Sequence, residues 1–246
     1  MKYFTKEWYR DTLVAQMCFQ IRKDAKAAKH SDKYFNSLYS AQKSWFVKHL
    51  KRAAKHTHTP FDVSAAEKEF EANYQENLDF VTGSLPSEIL ERVADVRILA
   101  LGCAEQNLLL EITRYCGQVN RKCEKICEDY DAEVEKLADK TGWLKINSLN
   151  MLSNAPIRSI DVSAVNRWVI ETSPEVTEIA CRLTLIEPVL DEGSFHALNG
   201  ATILYFELLP AESDDKMTFS LLCESKSSEL IELSFTVADL EAEEIK

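Results

Sequence analysis

Apolar side chains recur with the period of an α-helix through the first 141 residues of the chain. Leu13, Met17 and Ile21 are spaced by four residues, and this spacing places them on one side of a first helix. Thr5 is positioned to cap the start of this helix, and the pattern predicts that the helix runs to about Lys29.

Capping residues and a proline predict where the next helices begin. Ser31 is the predicted cap of a second helix, and a capping box at residues 64–67 predicts the start of a third. Pro86 suits the first turn of a fourth helix, which is apolar on most sides. Gly102 suits a left-handed C-cap, so this fourth helix is predicted to end there.

The segment from about residue 104 to residue 140 is predicted to be very long and helical. It contains no proline, and its single glycine, Gly117, costs only about 1 kcal/mol relative to alanine. One helix here, or two nearly collinear ones, extends for up to about 55 Å at 1.5 Å per residue. The pattern therefore predicts four to five helices, one of them very long.

The periodicity changes to that of β-strands after Gly142. Runs rich in β-branched and aromatic residues, from "PIRSID" to "ELIELSFTVADLEAE", are separated by Asn, Ser, Asp and Gly. Apolar and polar residues alternate in "MTFSLLCE", as in a half-buried antiparallel strand. The sequence predicts an α+β protein with a helical region, residues 1–141, and an antiparallel β region, residues 142–246. The β region is expected to be a meander or half-barrel of five to six strands packed on the helices.

Composition narrows the class of protein. The opening residues lack the apolar core of a signal peptide, and no apolar run approaches the ~18 to 20 residues that cross a bilayer. We therefore expect a cytoplasmic protein that does not enter a membrane. In that compartment its seven cysteines would stay reduced.

The net charge of −11 is unevenly distributed along the chain. Residues 1–60 carry 13 Lys and Arg against 4 Asp and Glu, a net charge of +9. One interpretation is a nucleic-acid-binding face, with aromatic residues stacking on bases: Trp8, Tyr9, Phe19, Tyr34, Tyr39 and Trp45. The favoured interpretation is that these basic helices face acidic helices of the same chain, and that the aromatic residues lie in the core.

Three cysteines, Cys116, Cys123 and Cys127, lie within twelve positions of the long helix. Offsets of seven and eleven residues place them on one side of it, but about 10 Å and about 6 Å apart along its axis. Two sulfurs on one zinc ion lie less than about 5 Å apart, so one ion cannot bind all three. We predict that they are buried core residues, reduced and without metal.

Catalytic and cofactor-binding motifs are not apparent in the sequence. It contains no glycine-rich phosphate loop, nucleophile elbow, paired metal-binding histidines or EF-hand pattern. We therefore expect no cofactor and no catalytic residue. An enzyme with a dispersed Cys–His or carboxylate site stays open as an alternative.

Three stretches resemble a bacterial family known as domain of unknown function 4085. They are the opening "MKYFTKEWY", the segment "LPSEILERVADVRILALG", and the strand-rich region that includes "ATILYFELL" and "ELIELSFTVADLE". The resemblance implies helices followed by strands and a bacterial origin, and it implies no activity. Asp95 and Arg97 are the charges inside the second stretch. At i and i+2 of a helix they are expected not to pair with each other, and each is predicted to be a structural anchor to another segment.

These observations predict a non-catalytic protein-binding or regulatory module whose partner is another protein. An immunity protein that neutralises a toxin is one form that such a module could take. The acidic total charge favours a basic partner. The alternatives are nucleic-acid binding through residues 1–60 and the dispersed enzyme site.

Overall fold

The computed structural model describes residues 1–141, 143–174, 180–211 and 216–245. The helices are α1 (Lys6–Met17), α2 (Asp32–Thr57), α3 (Val63–Ser84), α4 (Ser87–Leu90), α5 (Val96–Ala100), α6 (Gln106–Thr141) and α7 (Trp143–Ser148). The strands are β1 (Arg22–Lys23), β2 (Cys103–Ala104), β3 (Ala155–Ala164), β4 (Arg167–Thr172), β5 (Ala180–Ile186), β6 (Val189–Glu192), β7 (Thr202–Pro210), β8 (Met217–Glu224), β9 (Leu230–Val237) and β10 (Asp239–Ile245).

The predicted α+β class is confirmed, with helices first and an antiparallel sheet after them. The very long helix is also confirmed, because α6 has 36 residues and therefore extends for about 54 Å.

The chain divides into two compact units. The helical unit is residues 12–121, and the sheet unit combines residues 1–11 with residues 122–246. The division passes through α1 and α6, so each of these helices contributes to both units. The predicted division near residue 141 was based on secondary structure, and Gly142 lies outside the described residues.

Several helix boundaries differ from the prediction. Helix α1 ends at Met17, and after a short 3-10 helix, Cys18–Gln20, the chain extends so that β1 pairs in parallel with β2. Helix α3 is capped by Asp62, whose carboxylate accepts hydrogen bonds from the backbone of Ser64 and Ala65. The predicted capping box at residues 64–67 was therefore wrong, because an aspartate two residues earlier caps the helix. The Ser31 cap of α2 is confirmed.

The predicted fourth helix is two short helices, α4 and α5, separated by a turn. Gly102 adopts the expected positive φ, 70°, after α5. A Cβ atom there would lie 2.7 Å from the backbone oxygen of Gln20, so only glycine allows the chain to approach β1 this closely.

The strands of the sheet unit form one eight-stranded sheet in the order β10-β5-β4-β3-β7-β8-β9-β6. Consecutive strands pair antiparallel in two meanders, β3-β4-β5 and β7-β8-β9. The strands number more than the five to six predicted because two predicted runs are each interrupted. One breaks at Glu187, which has a positive φ of 47°, and the other breaks at Ala238.

Both meanders contribute to one apolar core. Leu183 and Leu185 of β5 are fully buried together with Phe219 of β8 and Phe235 of β9. The C-terminal part of α6 packs on the same core through Tyr130, Val134, Leu137 and Ala138. The sheet therefore packs against the long helix, as predicted.

Candidate functional site

An open groove of about 640 Å³ lies in the helical unit between α2, α3 and α5. Apolar, aromatic and amide side chains form most of its lining, and one guanidinium joins them. The lining residues are Arg22, Leu38, Ala41, Gln42, Trp45, Phe46, Phe70, Asn73, Tyr74, Asn77, Ala100 and Leu101. Cavities of this volume with mostly apolar walls and a few polar groups are typical of binding sites.

Aromatic contacts hold the two long walls of the groove together. The ring of Tyr39 on α2 lies 5.1 Å from the rings of both Phe70 and Tyr74 on α3, and Phe46 lies 5.7 Å from Phe70. Nζ of Lys43 is 2.9 Å from a carboxylate oxygen of Glu71. These pairings run in opposite directions along the two helices, so α2 and α3 are antiparallel.

Helix α5 forms the inner wall of the groove. The side-chain amide of Gln42 donates a 2.8 Å hydrogen bond to the backbone oxygen of Leu101 and so joins α2 to this wall. A smaller cavity of about 190 Å³ continues the groove toward Phe80 and Gly102, and it shares Gln42 and Leu101 with the larger one. The depression therefore extends beyond the main cavity, with a more polar lining.

The outer edge of the groove on α2 is aromatic and basic. Trp45 is 66% exposed, and its indole stacks on the His49 ring with 5.3 Å between centroids and 13° between planes. The exposed side chains that follow along α2 are called here the basic edge: Lys48, Lys51, Arg52 and Lys55. Within the described part of the chain, no carboxylate lies within 4.0 Å of these four cations.

This edge contradicts two predictions. The aromatic residues of the first 60 residues were expected to lie in the core. Trp8 is buried, as predicted, but Trp45 is mostly exposed and, away from this edge, Phe19 is 86% exposed. The basic residues were expected to face acidic helices of the same chain. Lys43 does so, whereas the basic edge does not. Helical spacing identifies a stripe of residues, and it does not distinguish a core from the wall of a groove.

Asp95 and Arg97 pair with each other, so the prediction that they could not was wrong. Asp95 is the N-cap of α5 and has an extended backbone, φ −151°, instead of lying inside a helix. Its carboxylate accepts hydrogen bonds from Nε and Nη2 of Arg97 at 2.9 and 2.8 Å. The two side chains can meet at i and i+2 because Asp95 lies before α5, whereas the prediction assumed an unbroken helix from residue 86.

The same two residues also bind other segments, as predicted for structural anchors. Nη2 of Arg97 donates a 2.9 Å hydrogen bond to Asp32, and its guanidinium lies 4.6 Å above the Phe35 ring. Nδ1 of His30 lies 3.3 Å from the Asp95 carboxylate. Hydrogen bonds from Arg97 lower the pKa of Asp95 below its usual value. This network joins the start of α2 to the start of α5.

The three predicted core cysteines lie in different units. Cys116 belongs to the core of the helical unit and is 1% exposed, whereas Cys123 and Cys127 belong to the sheet unit. Cys123 is buried and Cys127 is half-buried. Burial raises the pKa of both the Cys116 and Cys123 thiols to about 11. Among the described residues, no three His, Cys, Asp or Glu side chains are grouped to hold a metal ion.

The N-terminal segment binds a buried carboxylate in the sheet unit, a feature that the sequence did not predict. Glu207 of β7 is 0% exposed and accepts hydrogen bonds from the backbone N–H groups of Lys2, at 2.9 Å, Tyr3, at 2.7 Å, and Phe4. Glu232 of β9 accepts a 2.6 Å hydrogen bond from the backbone of Lys6. Two of the stretches that carry the family resemblance therefore meet here. In the sequence, the one sign of this contact is an isolated glutamate, Glu207, within an apolar strand.

No protein-family model, curated protein or solved structure matches this chain. The resemblance to domain of unknown function 4085 stays a prediction.

Proposed function

We propose that this chain is a non-catalytic protein-binding module and that its groove holds a segment of a partner protein. The observation that carries the proposal is the groove, with Trp45 exposed on one wall. Exposed tryptophan in an apolar surface is typical of binding hot spots, because burying it contributes much of the binding free energy. A regulatory protein of the cytoplasm, including an immunity protein, is the biological setting that we propose.

The dimensions of the groove support a peptide segment as its occupant. Its lining runs from Leu38 to Phe46 on α2 and from Phe70 to Asn77 on α3. These spans are about 12 Å and about 10 Å long, or two helical turns. Recognition of a helix in an apolar groove uses side chains at i, i+3 or i+4, and i+7, which span the same length.

Within the described segments, no helix is both long and apolar enough to cross a bilayer.

Site-specific photo-crosslinking in the native host tests this proposal. Benzoylphenylalanine is placed at Asn73, an exposed lining residue, and in a matched protein at Arg114, an exposed residue of α6 outside the groove lining. We expect a protein adduct from position 73 that is lost when the same chain also carries Trp45→Ser. Identical adducts at positions 73 and 114, or an adduct that survives Trp45→Ser, would contradict the proposal.

Nucleic-acid binding is the second candidate, and the basic edge favours it. Trp45 could stack on a base while Lys48 and Arg52 contact phosphates. This candidate predicts that binding of an oligonucleotide falls steeply with salt concentration and depends on these three residues.

A further inference from the structure

Exposed residues of opposite charge lie beside the lining residues of α2 and of α3. On α2, Lys48 and Arg52 follow Trp45 at i+3 and i+7, so they extend the same side of the helix. After Asp32, helix α2 contains no acidic residue. On α3, the exposed residues Glu69 and Glu76 flank the lining residue Asn73 at i−4 and i+3.

From this arrangement we infer that the occupant is an amphipathic helix with acidic residues along the flank that lies on α2. The inference rests on the proposed protein-binding function and names the chemistry of the partner. The apolar side of the helix contacts the lining between α2 and α3. Its acidic flank faces the basic edge, and a basic or neutral flank faces Glu69 and Glu76. Charge complementarity of this kind sets the orientation and specificity of binding more than its affinity.

The spacing of the basic edge fits this occupant. Lys48 and Arg52 are four residues apart and therefore about 6 Å apart along α2. Two glutamates at i and i+4 of a bound helix have the same separation, so both can pair at once. A polynucleotide fits less well, because it presents negative charge on every side and would meet Glu69 and Glu76 on α3.

Fluorescence anisotropy with synthetic peptides tests the inference. The first probe is a labelled helical peptide of about 20 residues with leucine at i, i+3 or i+4, and i+7, Glu on one flank and Lys on the other. The comparison probes are a peptide of the same composition in scrambled order, a peptide with Lys on both flanks, and a 20-nucleotide oligo-dT. We expect the full chain to bind the first probe more tightly than each comparison probe.

Charge reversal on the protein then identifies the edge that is used. The double variant Lys48→Glu with Arg52→Glu should bind the first probe about tenfold more weakly than the wild type does. It should bind the peptide with Lys on both flanks more tightly than the wild type does. A control chain with Lys68→Glu and Arg114→Glu changes two exposed cations elsewhere in the helical unit, and it should bind like the wild type. Circular dichroism of each variant checks that the fold is retained.

Several results would overturn the inference. Equal binding of the scrambled peptide shows that the groove does not recognise an amphipathic helix. Tighter binding of the peptide with two Lys flanks to the wild type reverses the predicted charge. Tighter binding of oligo-dT, lost on reversal of Lys48 and Arg52, assigns the basic edge to nucleic acid. If position 73 crosslinks to a partner segment that lacks acidic residues, this inference is wrong and the proposed function stands. If positions 73 and 114 give identical adducts, or the adduct survives Trp45→Ser, both are wrong.

Discussion

The helical unit and the sheet unit differ in charge, in burial and in what they leave exposed. The helical unit holds 15 Lys and Arg against 13 Asp and Glu, a net charge of +2, whereas the sheet unit holds 14 against 27, a net charge of −13. The sheet unit buries a continuous core, and the helical unit leaves an apolar groove open. The acidic total charge of the chain therefore comes from the sheet unit, and it does not indicate the charge of a partner that binds in the groove of the helical unit.

The largest expected effect concerns the core of the sheet unit. Phe219 is fully buried, and its ring lies 6.4 Å from the Phe235 ring and 6.5 Å from the Phe206 ring. We expect Phe219→Ala to lower the free energy of unfolding by about 3 to 5 kcal/mol, because it removes apolar contacts and leaves a cavity. Phe46→Ala in the half-buried wall of the groove is the comparison and should cost less. Urea unfolding of both variants checks this, and equal costs would contradict the contrast between core and groove.

The buried carboxylate of Glu207 should have the next largest effect. Glu207→Gln replaces a carboxylate that accepts three backbone hydrogen bonds with a neutral amide that has one acceptor oxygen. We expect a loss of about 1.5 to 3 kcal/mol of unfolding free energy, together with faster hydrogen exchange at the amides of Tyr3 and Phe4. Glu232→Gln is the matched control, since Glu232 binds a single backbone N–H and is only half-buried. Unchanged exchange in the Glu207 variant would show that this carboxylate does not hold the N-terminal segment.

How far the sequence predicts this molecule depends on the range of the forces involved. Local signals succeeded: Ser31 caps α2, Gly102 adopts a positive φ, and the change from helical to strand periodicity gave the fold class. Breaks one or two residues long, at Glu187 and Ala238, were missed because the periodicity is nearly continuous across them.

The candidate site was not predictable in the same way. Its walls come from α2, α3 and α5, so it exists only after these segments pack together. In the sequence, Trp45 and Phe46 belong to one apolar stripe. The structure leaves the first mostly exposed, stacked on His49 of the same helix, and the second half-buried against Phe70 of α3. Tertiary packing, which periodicity does not encode, decides between core and groove.

The pairing of Asp95 with Arg97 gives a pH-dependent test within the helical unit. Asp95→Asn keeps a good N-cap but removes the charge, and we expect it to cost about 1.5 kcal/mol of unfolding free energy at pH 7. The pKa of Asp95 is lowered in the folded state from an ordinary value of 3.8. Its contribution is therefore complete well above pH 3.8 and is lost as the pH falls through the folded pKa. Unfolding curves between pH 7 and pH 3 should show the two proteins converging in acid. A constant difference would mean that the carboxylate charge is not responsible.

Substitution of the buried Cys123 should lower the free energy of unfolding only slightly, and less for alanine than for serine. Cys123→Ala should cost about 1 kcal/mol through lost apolar contact and a small cavity, and Cys123→Ser should cost more because a buried hydroxyl needs a hydrogen-bond partner. Burial raises the pKa of the Cys123 thiol to about 11, so little thiolate is present at pH 8 and labelling by iodoacetamide should be slow. Fast labelling of Cys123 in the folded protein, or stoichiometric zinc that is lost in Cys123→Ala, would contradict its assignment to the core.

The smallest effect on stability is expected at Trp45, although it is among the largest side chains in the helical unit. Two thirds of its surface is exposed, so truncation removes few buried contacts. Trp45→Ser should change the free energy of unfolding by no more than about 0.5 kcal/mol, as is usual for surface positions. Phe70→Ala, across the groove, is the control, and it should cost several times more because Phe70 is 8% exposed and contacts both Tyr39 and Phe46. A cost above about 1 kcal/mol for Trp45→Ser would make Trp45 a packing residue of α2. A negligible cost means that the fold does not require this side chain, as the proposed role of the exposed indole in binding predicts.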